Sequence, residues 1–473
     1  MKNQNPPIKI LQSIINFLND GKFQLALSRS KQMLERFPNS AVLFNIVGAS
    51  YKGLMQLDKA IDNYKKALNI NPDYSEVYYN MGVAFQEKGD IKASIESYTN
   101  SLKIKPDYAY AYNNMGTAYH EMGNLEEAIQ SYKKALKIKP DYADSYNNMA
   151  NALKDIGELE SAIDNYAKAL NIKPNYAVAK SNIVKLLTSY NPQKENPNLI
   201  VKVNEEIRKI NIINNNLTII SDDQVVKIFS KFSSYLGVFK EKIRIQETQT
   251  YRNNSVVLNC KRHMAVFDEY EIIPEFCFGC YKVQVEPKSI IDLIKLFIVF
   301  DQLELNENNT RKCMIELRPE ISGFYKGLIY CSGLKQANQI AKHLDTIIKG
   351  RIDKELSSKV KRGCSEYPIS FPDYKEINNS GPQLMKYKKN WKAIEENYDN
   401  RNPINTYKNR RSSLSGLNLN DALVIQKWID YAKGISDPSA DLLKQSPIYY
   451  QDIYDKAKVR LNSFNFRKIL DNI

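Results

Sequence analysis

Two thiols sit three residues apart in PEFCFGCYKVQVEP, residues 274–287, as Cys277-x-x-Cys280. That spacing suits a metal clasp, and Cys260 or His263 in NCKRHM offers a further ligand. Zinc or an iron–sulfur cluster on Cys260, Cys277 and Cys280 is one chemistry, and a dithiol redox pair is another. The third outcome is burial as small apolar side chains. No second CxxC exists to complete a paired knuckle. The pair also leads into a strand, whereas redox thiols sit at a helix N-terminus whose dipole lowers their pKa. Burial is therefore the expected fate of Cys277, with Cys280 more open, and no cofactor is expected. Carboxamides are the other recurring chemistry. Asn80, Asn114, Asn148 and Asn182 return every 34 residues, with Asn45, Asn113 and Asn147 one position earlier in their units. Each amide both donates and accepts, so it can pair with a peptide backbone whatever the side chains are.

Other catalytic patterns are missing. There is no GxxxxGK[ST] and no GxGxxG after a strand, and His120, His263 and His343 are scattered. The 473 residues, 25% charged and 43% hydrophobic, are ordinary for a folded chain of several domains. The most apolar run, IIDLIKLFIVF from Ile290, is interrupted by Asp292 and Lys295 and is too short to span a bilayer. The N-terminus has no apolar h-region, so a cytoplasmic protein with reduced thiols is expected. The net charge is +14; residues 1–190 hold 23 Lys and Arg against 19 Asp and Glu, and the rest hold 44 against 34. The excess is spread out and forms no dense patch, which disfavours a nucleic-acid partner.

The elements that must position these groups follow from a repeat. Pro38, Pro72, Pro106, Pro140 and Pro174 are spaced by 34 residues, and the units between them align without a gap. Each holds two apolar-periodic stretches joined by a turn that often contains glycine, as at Gly21, Gly89, Gly123 and Gly157, which predicts a helical hairpin. Gly48, Gly82, Gly116 and Ala150 on the first helix, and Ala60, Ser94, Ala128 and Ala162 on the second, let the pair approach closely. Tyr51, Phe85, Tyr119 and Leu153 are expected between the paired helices, and Tyr64, Tyr98, Tyr132 and Tyr166 at the junction between units.

This pattern resembles the tetratricopeptide repeat, over residues 7–190 as five repeats and a capping helix, AVAKSNIVKLLTSY. The first copy is degenerate, with Ile14 at the small-residue position. The resemblance implies an all-α superhelix, an α-solenoid, whose concave wall is built from the first helices and binds peptides. It places Asn45, Asn80, Asn113, Asn114, Thr117, Asn147, Asn148, Asn151 and Asn182 on that wall. The asparagine ladder resembles the arrays of O-linked N-acetylglucosamine transferases, although the remaining residues are too few for their sugar-nucleotide module. A lysine clamp for chaperone tails is absent, since its positions hold Val42, Glu76, Tyr110, Asp144, Asn45, Tyr79, Asn113 and Asn147. Glu76, Glu87, Glu121, Asp144 and Asp155 on the rim suggest a preference for basic partners.

The polar stretch NPQKENPN, residues 191–198, reads as a linker. Residues 199–250 read as a helical connector with Ser221 as an N-cap, 251–374 as an α+β domain, and 375–473 as a basic linker and helical tail. From Phe276 the order is strand, helix, strand, strand, helix and a last strand near CSEYPISF, a β-α-β-β-α-β succession of ferredoxin-like type. In that arrangement Cys313, Cys331 and Cys364 gather at the edge away from Cys277, and Lys282, Gln284, Glu286, Glu316 and Arg318 share a polar, solvated sheet face. The leading functional reading is a scaffold that binds a protein or peptide partner. The alternative is an enzyme with a thiol- or metal-dependent C-terminal site to which the repeats recruit substrate.

Overall fold

The computed structural model describes residues 5–211, 219–239, 243, 245–253, 258–307, 309–319, 321–364, 366–379, 381–402, 412–443 and 448–470. The chain forms two compact units, Met1–Ala179 and Lys180–Ile473.

The first unit is five helical hairpins: Ile8–Asn19 with Phe23–Arg36, Ala41–Gly53 with Leu57–Ile70, Ser75–Lys88 with Ile91–Ile104, Ala109–Glu121 with Leu125–Ile138, and Ala143–Ile156 with Leu159–Ile172. Each second helix stops two residues before its proline. The intervening residue, such as Lys105 at φ −128° and ψ 86°, is extended because the following ring disfavours the helical region. Gly89 and Gly157 close their first helices at φ 87° and 99°, where a side chain would be strained. Successive first helices pack side by side along the stack.

The small residues and the tyrosines turn out to be partners. A Cβ on Gly48, Gly82 or Gly116 would sit 2.5, 2.6 or 2.7 Å from the ring of Tyr64, Tyr98 or Tyr132 of the same hairpin. The tyrosines thus fill the hairpin interior, and the cluster around Tyr64 continues into Val77, Met81 and Ala84 of the next hairpin. Their hydroxyls reach the first helix, from Tyr98 to Gln86 Oε1 at 3.0 Å, from Tyr132 to Thr117 Oγ1 at 3.3 Å and from Tyr166 to Asn151 Oδ1 at 2.6 Å.

The second unit is built on a five-stranded sheet of β1 (Gln249–Arg252), β2 (Tyr281–Val285), β3 (Arg311–Ile315), β4 (Tyr325–Cys331) and β5 (Ser358–Arg362). Its order is β1-β3-β4-β2-β5 and every neighbouring pair is antiparallel. The helix Ile290–Gln302 joins β2 to β3, and Leu334–Arg351 joins β4 to β5. Ser221 does cap the helix Asp222–Leu236, in a capping box with Gln224.

Two expectations fail here. Phe276 is not in a strand: Pro274 opens a helical turn, Glu275–Phe278, and β2 starts at Tyr281. The last strand lies at Ser358–Arg362, ahead of CSEYPISF, where Tyr367–Ser370 is a helical turn. With one apolar residue, Val360, the stretch SKVKR lacks the apolar alternation that marks a half-buried strand. The tail helices pack on the sheet and its helix, one of the placements their amphipathic pattern allows. The helix Leu419–Gly434 is buried along nearly its whole length and packs on Ile290–Gln302, β1 and β3.

A buried ion cluster ties that helix in. Arg252 on β1 pairs with Asp301 at the end of Ile290–Gln302 and, at 2.9 Å, with Asp421 of Leu419–Gly434. Burial alone would weaken the hold of Arg252 on its proton; the two carboxylates more than reverse this and raise its pKa. The guanidinium also lies 4.7 Å from the ring centroid of Phe297.

Candidate functional site

Two surfaces hold the chemistry anticipated above, one in each unit. On the first helices of the repeats, the carboxamides are bonded to one another. Asn80 donates to Asn45 Oδ1 at 3.0 Å, Asn114 to the Tyr79 hydroxyl at 3.1 Å and Asn148 to Asn113 Oδ1 at 3.3 Å, each across 35 residues into the preceding hairpin. Within a helix, Asn113 donates to Asn114 at 3.1 Å and Asn147 to Asn148 at 3.3 Å. The result is a continuous run from Asn147 through Asn148, Asn113 and Asn114 to Tyr79.

A second line runs parallel to it, seven residues further along each first helix. Lys52 pairs with Glu87 at 3.4 Å, Gln86 donates to Glu121 at 2.9 Å and His120 meets Asp155 at 2.9 Å, again in steps of 35 residues. Burial raises the pKa of Asp155, but the bond from His120 and the charge of Lys154 bring it below the usual carboxylate range.

Asn113 and Asn147 are buried, whereas Asn45, Asn80, Asn114, Asn148, Asn151 and Thr117 are half-buried. Asn182 falls beyond the division between the units, on the helix Ala177–Leu187. Four of the rim acids are engaged as well, Glu76 with Lys105 at 3.7 Å and Glu87, Glu121 and Asp155 as described, which weakens the expected preference for basic partners.

The cysteines separate into different clusters. Cys277 is buried with Tyr367, Tyr374 and Trp391, and its sulfur lies 3.3 Å from the Tyr367 hydroxyl. Burial pushes its thiol up to about 12. Cys260 and Cys280 pack instead against Met314, Leu328 and Tyr330, and burial raises both of their pKa values. His263 stacks on Phe276 at 5.1 Å between centroids, and burial beside Arg262 lowers its pKa to about 4. Among the described residues no three His, Cys, Asp or Glu are grouped as a metal ion requires. Cys331 and Cys364 do not lie at the edge away from Cys277: the end of β4 also runs beside the start of β2, where Cys331 is opposite Tyr281. β5 runs antiparallel to β2, so its end lies beside the start of β2, and the Gly363 amide donates to Cys280 O at 2.8 Å.

The polar sheet face is richer in cations than its sequence suggested, and of the residues expected on it only Glu286 and Arg318 reach solvent. Lys282, Gln284, Lys326 and Glu316 are each at most 5% exposed. They lie under the helix Cys260–Tyr270 and the stretches around Arg318 and Cys364, which leave a cavity of about 270 Å³. Glu316 binds Arg318 at 2.7 Å and Lys326 at 2.9 Å. Lys312, Lys326 and Lys361, missed as site residues, line the same cavity. Each stands on a different strand, so only the period-two alternation of KCM, YKG and VKR signals its face.

Although burial opposes it, Arg318 and Lys326 hold the Glu316 pKa at about 2, well below the unfolded value of about 4.3. The stabilisation is complete above the unfolded pKa and is lost as the pH falls from there towards 2. Denaturant unfolding of Glu316→Gln should therefore show a flatter acid limb than wild type, by about 3 kcal/mol between pH 6 and pH 2. Identical limbs would mean that Glu316 is not held as an anion.

Comparison with known families assigns the repeats. Models described as TPR repeat match residues 55–89, 85–123 and 116–157, and the model described as tetratricopeptide repeat matches 143–176. Residues 55–176 are thus tetratricopeptide repeats. No curated protein matches the chain. Among solved structures, MamA shares 26% identity over 34% of this chain and 95% of its own, with a TM-score of 0.32. YrrB, a TPR protein with an unusual peptide-binding site, shares 19% over 38% and 92%, at 0.32. Pseudomonas aeruginosa PilF shares 19% over 38% and 81%, at 0.36. Among the described residues no helix is long and apolar enough to cross a membrane.

Proposed function

We propose that the tetratricopeptide repeats make this chain a protein-interaction scaffold, taking an extended peptide along the wall of first helices while the second unit completes an assembly. The contacts are Asn45, Asn80, Asn114, Thr117, Asn148 and Asn151, with buried Asn113 and Asn147 holding them in register. The observation that carries the reading is the carboxamide run itself. Each amide has two donor hydrogens and two lone pairs, and the bond to the next hairpin engages only part of that capacity. Half-buried amides at one-repeat intervals can pair with a backbone stretched over them, in the manner of the arrays the ladder resembles.

We also infer a ferredoxin-like class for residues 281–362, supported by the order β5-β2-β4-β3 and the two connecting helices. No metal enters this reading, and stoichiometric zinc or iron in the purified protein would overturn that part of it.

The test is selection of peptides from a displayed library on the full-length chain, followed by titration against Asn114→Ala/Asn148→Ala. The double variant should bind at least about tenfold more weakly, two neutral hydrogen bonds being worth about 1 kcal/mol each. Its helicity and melting point report whether the stack survives. Unchanged affinity in a folded variant sinks the carboxamide reading.

A further inference from the structure

We propose that the basin on the polar face of the sheet binds a small phosphate-bearing anion. Lys312 and Lys361 hold the phosphate, Lys282 and Lys326 lie behind them, and Leu328 and Tyr330 give an apolar floor to the group that carries it. This site is independent of the peptide reading.

The register makes the case. Lys282 on β2 stands directly opposite Lys361 on β5, and like charges in that relation repel. Lys282 is also opposite Tyr330 on β4, and its ammonium lies 5.1 Å from that ring's centroid. Lys312 on β3 is opposite Leu328. Lysines from four adjacent strands therefore face one enclosed space, where a fold seeking only stability would place neutral side chains.

The described carboxylates that line the cavity do not pair with Lys282 or Lys312. Of the described residues lining the 270 Å³ cavity, five are cationic and two, Glu316 and Glu366, are acidic. Both acids pair with Arg318, and Glu316 also takes Lys326. Lys282 and Lys312 have partners other than carboxylates, Cys364 Sγ at 3.6 Å and Gln249 Oε1 at 3.2 Å. Lys282 is 5% exposed, so its ammonium is desolvated with no described carboxylate bonded to it.

The space suits a small molecule. A second cavity of about 450 Å³ shares Gln284, Lys326 and Lys361 with the first, so the two form one trough across β2, β4 and β5. Ligand sites run from about 300 to 1,000 Å³. A roofed trough of this size admits a phosphate and its attached body more readily than a polymer strand.

Titration supports the geometry. Burial, then the charges of Lys282 and Lys326, bring Lys361 down to about 7; burial and Lys282 bring Lys312 to about 8. Cys364 and Arg318 face Lys361 from the flanking segments, with Glu316 and Glu366 across the basin. At pH 8 much of this pair is neutral, and a bound anion must draw protons onto it.

The experiment is titration calorimetry of the full-length protein at pH 8 with inorganic phosphate, pyrophosphate and AMP, in two buffers of different ionisation enthalpy. The expected result is saturable binding of at least one probe with net proton uptake. Phosphate alone defines a phosphate subsite, and stronger binding of AMP defines one with a carried body. Lys312→Met/Lys361→Met should weaken binding by roughly a hundredfold, at about tenfold per charge-assisted contact. It should melt no lower than wild type, because an apolar side chain of similar length relieves the repulsion. The proposal is overturned if no probe binds, if the variant binds as wild type does, if no proton is taken up, or if only oligonucleotides bind.

Discussion

Tyr132→Ala in the full-length chain will destabilise the repeat unit by about 3–5 kcal/mol, the range for emptying a fully packed aromatic site. Tyr132 is 1% exposed and belongs to a cluster that includes Ala128 and Ile129 of its own helix and Met149 and Ala152 of the next hairpin. It also lies on Gly116, whose missing Cβ leaves the room for the ring. Removing the ring therefore opens a void with glycine on one side, where no side chain can swing in to close it. The hydroxyl adds a bond to Thr117 at 3.3 Å. Tyr132→Phe separates the two contributions and should cost only about 1 kcal/mol. Stacked repeats couple to their neighbours, so the loss should broaden the helical melting transition as well as lower it. A Tyr132→Ala protein that melts within a degree of wild type would show that the ring is not what joins the hairpins.

Arg252→Met will destabilise the second unit by a similar amount, about 3–5 kcal/mol, through electrostatics rather than volume. The side chains of Arg252, Asp301 and Asp421 are all at most 5% exposed. Without the guanidinium, two carboxylates face each other in the core, where an unpaired charge is poorly tolerated. Their folded pKa values then lie above the unfolded value of about 3.9. A carboxyl of that kind favours the folded state when protonated. The deficit should therefore shrink as the pH falls through the raised values and be full at neutral pH. Replacing all three groups, as Arg252→Met/Asp301→Leu/Asp421→Leu, should recover most of the loss, since a buried ion cluster is worth little over well-packed apolar residues. Chemical denaturation across pH checks both statements. A single variant with no pH-dependent deficit would mean that water reaches the cluster.

The two expected losses differ in how much of their cause is visible in the chain. The glycine–tyrosine pairing could be inferred from recurrence, because Gly116 and Tyr132 lie on neighbouring helices of one hairpin. The ion cluster could not. Arg252 and Asp421 are separated by 169 residues, and no local pattern links them. The tail helix that carries Asp421 reads as amphipathic, yet it is buried on all sides because the helix Gln451–Leu470, the sheet helix, β1 and β3 enclose it.

The amino-acid sequence alone determined what is local or periodic. The 34-residue spacing settled the five hairpins, the prolines and glycines set where helices stop, and the change of period set the succession from β2 to β4, while β5 lies ahead of its expected place. Tertiary structure decided which polar groups meet. The 35-residue steps between carboxamides depend on how one hairpin stacks on the last, and the lysine basin depends on the register of four strands. Hydrogen bonds and charge clusters between distant residues are set by that geometry, whereas turns and amphipathic periods are set within a few residues of chain.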